Sequence, residues 1–285
     1  MKRISDRRGD AVMVTTVLML SIILSVGGRL LLDYGEIVGK DDDMLHAADV
    51  SDSLMSVRAS MGTIVRSGDT ESRILNRVTL GTSGNPYLGV ARSSGILDYS
   101  PDPDLFEMAI YLEDGAAERM LNTVSGSLTF TSNNFYYHDQ VLMYQAGGIV
   151  LNEYGYYAMS TTPTSEISKT PTGWTYSMIL FSMTGNQWSI SGIDSVALSI
   201  GMAGLADLVL EPAAGQVVSI RINCPGEEAW EDHFRNDLVL NGLTENSDFR
   251  IIQPTDWTST SEYLEVELQG MERFVANIGE MEVSL

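Results

Sequence analysis

AVMVTTVLMLSIILSVGG, residues 11–28, is an unbroken run of 18 uncharged and largely apolar positions. As an α-helix it rises about 27 Å, against a bilayer hydrocarbon core of roughly 30 Å. It has no amphipathic face with which to lie on a protein core. Arg29 can turn its guanidinium outward, and Leu30, Leu31 and Leu32 extend the apolar reach. Residues 10–32 are therefore predicted to form a transmembrane helix. A cleaved secretory signal is the competing reading, with Ser25-Val26-Gly27 as a poor cleavage site. Its apolar region would normally run only about 7–15 residues.

On the N-terminal side, residues 1–9 hold Lys2, Arg3, Arg7 and Arg8 against Asp6, a net charge of +3 in a chain whose total is −21. A basic tip joined through an apolar segment to a strongly acidic body places the N-terminus in the cytoplasm and the C-terminal domain outside. The same acidity excludes nucleic acid as a partner, since phosphate binding needs a clustered basic surface. Cys224 is the only cysteine, so no intrachain disulfide can form.

On the C-terminal side, the helix is predicted to continue outside the membrane over residues 33–68. Ala47, Val50, Leu54, Val57, Met61 and Ile64 follow a 3-4-3-4-3 spacing, a heptad seam. Such a seam either packs on its own domain or joins one helix to another, and these six positions are the candidate assembly surface. Asp41-Asp42-Asp43 reads as a solvated face. Gly35 and Gly39 have close-packing spacing but lie beyond the apolar run. Ser67-Gly68-Asp69 is the predicted stop.

After residue 76 the period changes to two. Ser127 to Thr131, Val196/Leu198/Ile200, Val218/Ile220/Ile222, Leu264/Val266/Leu268 and Met281/Val283/Leu285 alternate as half-buried strands do. Met178 to Met183 is apolar on both faces and reads as a central strand. Asn85-Pro86, Pro101 to Asp104, Gly147-Gly148, Gly185-Asn186 and Asn241-Gly242 punctuate the region. Residues 225–234 open with Pro225 and carry Glu227 and Glu228 in a first turn, which predicts one short helix. The expected fold class is thus α+β: a long N-terminal transmembrane helix, then a mostly antiparallel, sandwich-like β domain with one short helix. Residues 77–285 are expected to form one acidic domain with its own core.

Chemistry is hard to find. There is no nucleophile elbow, phosphate-binding glycine loop or metalloprotease motif, and His46, His138 and His233 show no ligand spacing. Cys224 precedes a predicted helix N-terminus, where a thiolate would be stabilised, but a strand-ending cysteine is more often a small core residue. Asp98, Asp102 and Asp104 fit ordinary turn chemistry better than a calcium loop. Trp174, Trp188, Trp230 and Trp257 are a candidate ligand platform or buried core residues. No catalytic residue, metal site or cofactor is expected.

Three stretches, RRGDAVMVTTVLMLSIILSVGG (7–28), SGSLTFTSNNFYYHDQVLMYQAGGIVLNEYG (125–155) and VVSIRINCPGEEAWEDHF (217–234), together resemble archaeal membrane-anchored surface proteins related to type IV pilins. The resemblance implies that Gly9 precedes a bond cut by a prepilin peptidase and that Asp10 begins the mature chain. It also implies partners in the membrane and in other pilin-like subunits, met through the N-terminal helix. Val14 stands at the fifth mature position, where bacterial pilins carry glutamate, a departure that bears on filament assembly more than on anchoring. The expected function is a pilin-like structural subunit or minor component of a surface filament or envelope assembly. The alternative is a single-pass receptor or adhesin that binds a ligand through the β domain.

Overall fold

The computed structural model describes residues 3–115, 117–254 and 263–285, with side chains from residue 12 onward. The fold is α+β, as the two sequence periods require: one very long helix, a mostly antiparallel β domain and one short helix. Helix α1 (Arg3–Ser67) runs without a break for 65 residues. It stops where expected. Gly68 takes a φ of 66°, and its N–H reaches back to the Ile64 carbonyl at 3.0 Å, the left-handed cap that only glycine adopts at low cost.

Sixteen strands follow among the described residues. The first six are β1 (Arg73–Thr79), β2 (Ser94–Ser100), β3 (Glu107–Asp114), β4 (Ala117–Ser125), β5 (Ser127–Asn133) and β6 (Gln140–Gln145). Then come β7 (Gly148–Glu153), β8 (Tyr156–Thr161), β9 (Thr164–Lys169), β10 (Trp174–Thr184) and β11 (Trp188–Gly192). The last are β12 (Ser195–Leu210), β13 (Gln216–Asn223), β14 (Phe249–Ile252), β15 (Leu264–Leu268) and β16 (Arg273–Ser284), with α2 (Glu227–Leu240) after β13. They form three sheets, in the orders β1-β12-β16-β10-β9, β11-β2-β5-β6-β7-β8 and β14-β15-β13-β3-β4. Neighbouring strands are antiparallel except β10 and β16, which run parallel. That pairing needs a long crossover, and β11 to β15 with α2 supply it.

The first sheet lies between two cores. On one side, β10 and β16 contribute Met178, Leu180, Ala276 and Ile278 to a cluster shared with the third sheet and α2. On the other, Phe181, Met183, Met281 and Val283 of the same strands join a cluster shared with the second sheet and α1. Even-numbered residues point to one core and odd-numbered residues to the other, as the strand period dictates. This is why Met178 to Met183 is apolar on both faces. In β12 the parity behaves differently. Leu198, Ile200 and Met202 face the α1 side, whereas Ala206, Leu208 and Leu210 pack against the other core. A register shift between Met202 and Gly204 turns the strand over. One extra residue reverses every side chain beyond it.

Two expectations need correction here. The predicted short helix over 225–234 extends to Leu240, because Ala229, Trp230, Phe234 and Leu238 keep a helical stripe in the core. The β domain also does not begin at residue 77 with a core of its own. β1 starts at Arg73, and Val50, Leu54, Val57, Met61, Ile64 and Val65 of α1 complete the second core.

Candidate functional site: the junction of helix and domain

Helix α1 has two halves with opposite surroundings. Among the described side chains of its N-terminal half, residues 12–32 pack on no other part of the chain. The large apolar side chains from Val12 to Leu32 are between 55 and 72 % exposed, and a Cβ built on Gly27 or Gly28 would meet nothing within 4 Å. The helix is long and apolar enough to cross a membrane. Three hydroxyls within the apolar run are compatible with an apolar surround. Thr16, Ser21 and Ser25 donate their hydroxyls to the carbonyls of Val12, Val17 and Ser21 at 2.7–2.8 Å. Hydrogen bonds closed within the helix leave these donors no need of water. The backbone is helical through Gly9 and Asp10, and the Asp10 side chain lies outside the described residues.

The C-terminal half is embedded in the domain. Val50, Leu54, Val57, Met61 and Ile64 are at most 1 % exposed, and Ala47 is half-buried at the edge of the stripe. Their partners are Val78, Leu97, Leu128, Tyr144, Leu198, Ile200 and Met281 from the first and second sheets. The seam read as a candidate assembly surface is therefore consumed within the chain, and this assignment is corrected: the apolar side chains already have a sheet to cover. Polar bonds pin the flanks. Arg58 donates from Nε to the Gly147 carbonyl and from Nη2 to the Thr162 carbonyl, both at 2.8 Å. Ser56 and Ser60 both bond to Asn76 at 2.9 Å.

Between the halves lies the junction, which the heptad seam stopped short of. The contact stripe continues down the helix through His46, Asp43, Gly39 and Gly35, all buried. A Cβ at Gly35 would lie 2.6 Å from the Leu88 carbonyl oxygen, and one at Gly39 would lie 2.2 Å from the Tyr136 ring. The absent side chains let a loop and an aromatic ring lie directly on the helix backbone. Tyr136 is fixed there by its hydroxyl, which donates to the Gly89 carbonyl at 3.2 Å and accepts the Ala91 N–H at 3.1 Å. Asp43 is not part of a solvated face. It is 1 % exposed, and one oxygen accepts the backbone N–H groups of Tyr136 and Tyr137 at 2.8 and 3.1 Å while the other accepts the Ser93 hydroxyl. Helical spacing carried back from Val50 could have found these positions, had a carboxylate been admitted to an apolar stripe.

Several polar groups elsewhere serve the fold. Burial, with the charges of Glu227 and Glu228 adding to it, pushes the Cys224 thiol well above its ordinary range. A protonated, buried thiol is not a nucleophile. Asp237 accepts the Ser165 hydroxyl at 2.7 Å and the Tyr176 hydroxyl at 3.4 Å, tying α2 to β9 and β10. His233 lies one turn away, but the serine meets the carboxylate directly, whereas an acyl-transfer triad needs the imidazole between them. Arg221 binds Glu265 and Glu113 at 2.7 and 3.1 Å, pairs with Glu118, and stacks on Tyr111 and Tyr263, stapling four strands. Asp104 donates its N–H to Asp102 in a local turn. Trp174 and Trp230 are core residues, Trp188 stacks on Tyr99, and Trp257 lies outside the described residues, so the described tryptophans form no platform. No cluster that could hold a metal ion occurs among the described residues. Compared with protein families, curated proteins and solved structures, the chain matches none.

Proposed function

We propose that this protein is a membrane-anchored structural subunit of the cell surface, built as type IV pilin-like proteins are, with its N-terminus in the cytoplasm and its acidic β domain outside. One observation carries the reading: a single unbroken helix is bare and largely apolar over residues 12–32 and locked into a folded domain along its second half. A rigid rod of this kind transmits the position of the domain to the membrane, or to neighbouring helices, without a flexible linker. Because the seam over residues 47–64 is filled by the domain itself, any helix-to-helix assembly falls to residues 11–32, where the bare stripe includes Gly27 and Gly28. The basic leader, and the cut between Gly9 and Asp10 that the pilin resemblance implies, belong to the same reading. Removal of the leader would take away basic charges that resist extraction of the helix from the bilayer.

Intact-mass measurement of the native protein tests the assembly route, together with electron microscopy of cells carrying a labelled subunit. A chain beginning at Asp10 and label along filaments are the expected results. A chain that keeps Lys2 and Arg3, with label spread over the envelope, leaves a permanent single-pass anchor. A chain beginning near Arg29 would mean ordinary secretion and sink the proposal.

A further inference from the structure

We infer that the membrane-proximal rim of the β domain, carrying Tyr87, Phe135, Tyr154 and Tyr156 together with Tyr34 of α1, seats in the headgroup layer of the bilayer that α1 crosses. This rests on the anchoring reading above and adds a second, peripheral contact to it. The rim is located by the junction. The loop holding Tyr87 touches the helix at Gly35, and the loop holding Phe135 touches it at Gly39 and Asp43. The Gly35 contact lies about 4.5 Å of helix rise beyond Leu32, within a headgroup layer roughly 5–7 Å deep, whereas the Gly39 and Asp43 contacts lie about 10–17 Å beyond Leu32 and approach that layer as the helix tilts toward the domain. The hairpin carrying Tyr154 and Tyr156 is at the same end: Gln140 pairs with Glu153 across β6 and β7, and the His138 ring lies 4.8 Å from that of Tyr154.

Composition sets this end apart. Six phenylalanine or tyrosine side chains are exposed among the described residues, and five of them are on this rim. Tyr87 is 95 % exposed, Tyr156 82 %, Tyr154 77 % and Phe135 68 %, in a fold that elsewhere buries its large rings. Residues 80–91 and 125–138 carry no Asp, Glu, Lys or Arg, in a chain with 38 acidic and 17 basic residues. These stretches carry no charge of their own into the interface, and the charged residues of the two loops, Arg92 and Asp139, stand at their ends. Tyrosine suits that layer, with an apolar ring for the acyl boundary and a hydroxyl for the headgroups. Asp33, Glu36, Asp139 and Glu153 outnumber Lys40 and Arg92 beside the rim, so the contact favours zwitterionic over anionic headgroups. An ordinary helix tilt of about 20° toward the domain brings the further side of the rim down to the surface. The girdle would then fix how the domain is turned about the helix axis.

The test is site-directed spin labelling of the full chain in zwitterionic phospholipid vesicles, comparing collisions with lipid-soluble oxygen and with a water-soluble nickel chelate. Labels go on Leu20→Cys, Tyr87→Cys, Phe135→Cys and, as an aqueous reference, the exposed Leu240→Cys. Cys224 is buried and its thiol held protonated, so it takes up little label. The oxygen-to-nickel ratio at 87 and 135 is expected to be severalfold above that at 240, with label 20 higher still. If label 20 is in lipid but 87 and 135 match 240, the rim proposal fails and the anchor stands. If 87 and 135 are shielded from both reagents, protein covers the rim, and the proposal fails in favour of contact between copies. An aqueous signal at label 20 would overturn the anchoring reading itself.

Discussion

Asp43 commits a buried carboxylate to two backbone N–H groups and a hydroxyl, all supplied by loops of the β domain. Removing it would strand those donors in a water-poor junction, and each buried unsatisfied donor costs about 1–3 kcal/mol. Asp43→Ala is therefore expected to destabilise the detergent-solubilised chain by about 2–4 kcal/mol in denaturant unfolding. The neighbouring carboxylate of Asp42 accepts none of these donors, so Asp42→Ala should change stability little. Glu227 gives a pH test. Burial foremost, with the charge of Glu228 adding and the Cys224 N–H opposing, pushes its carboxyl from 4.5 up to about 7. The folded state thus holds a proton that the unfolded chain has released, so this group's contribution to stability falls as pH rises from about 4.5 to about 7. Burial lowers the pKa of His46 and His233, which act oppositely as pH falls below 6.5, so the parent's pH curve mixes the effects. Comparison with the variant separates them: Glu227→Gln should stabilise the chain relative to the parent at pH 8 and much less at pH 4. An equal difference at both pH values would contradict the assignment.

Among the elements, α1 is the one whose role changed most between sequence and structure. Its seam has the spacing of an assembly helix, yet the partner is a pair of sheets. A chain starting at residue 33 should be soluble and β-rich with a helical component in circular dichroism. One starting at residue 69 should associate, because Val78, Leu97, Leu128, Tyr144, Leu198 and Met281 lose the helix that covers them. A monomeric, cooperatively folding 69–285 chain would show that the helix is dispensable to the core. The strands themselves were largely legible. Alternation at Ser127 to Thr131, Val218/Ile220/Ile222 and Leu264/Val266/Leu268 corresponds to β5, β13 and β15. The turn-over of β12 was not, since Leu198 and Leu208 have the same parity in sequence and a bulge between them leaves the apolar pattern unchanged.

For the whole molecule, the proposed orientation makes a direct prediction. Protease added to intact cells or spheroplasts should digest the acidic domain and spare the helix in the membrane, and a protected C-terminal domain would overturn that orientation. The chain is a rod with a domain locked to its upper half, so force or rotation applied to the span reaches the sheets through the stripe from Gly35 to Ile64. Gly35 and Gly39 would weaken a free helix at this point, but here the loops that lie against them hold the backbone in place.

The sequence by itself determined the apolar span, the end of α1 at Gly68, the change of period near residue 76 and the helix after β13. These follow from local chemistry, since hydrophobic period, glycine at a left-handed position and proline near a helix start act within a few residues of themselves. Only the tertiary structure decided what the seam faces, which face each half of β12 shows, that Asp43 is buried and that five of the six exposed phenylalanine and tyrosine side chains share one rim. A period reveals which residues lie on one face but not what covers that face, and a carboxylate can be buried only where donors arrive. For Asp43 those donors come from Ser93, Tyr136 and Tyr137, residues that only the folded chain brings to the helix.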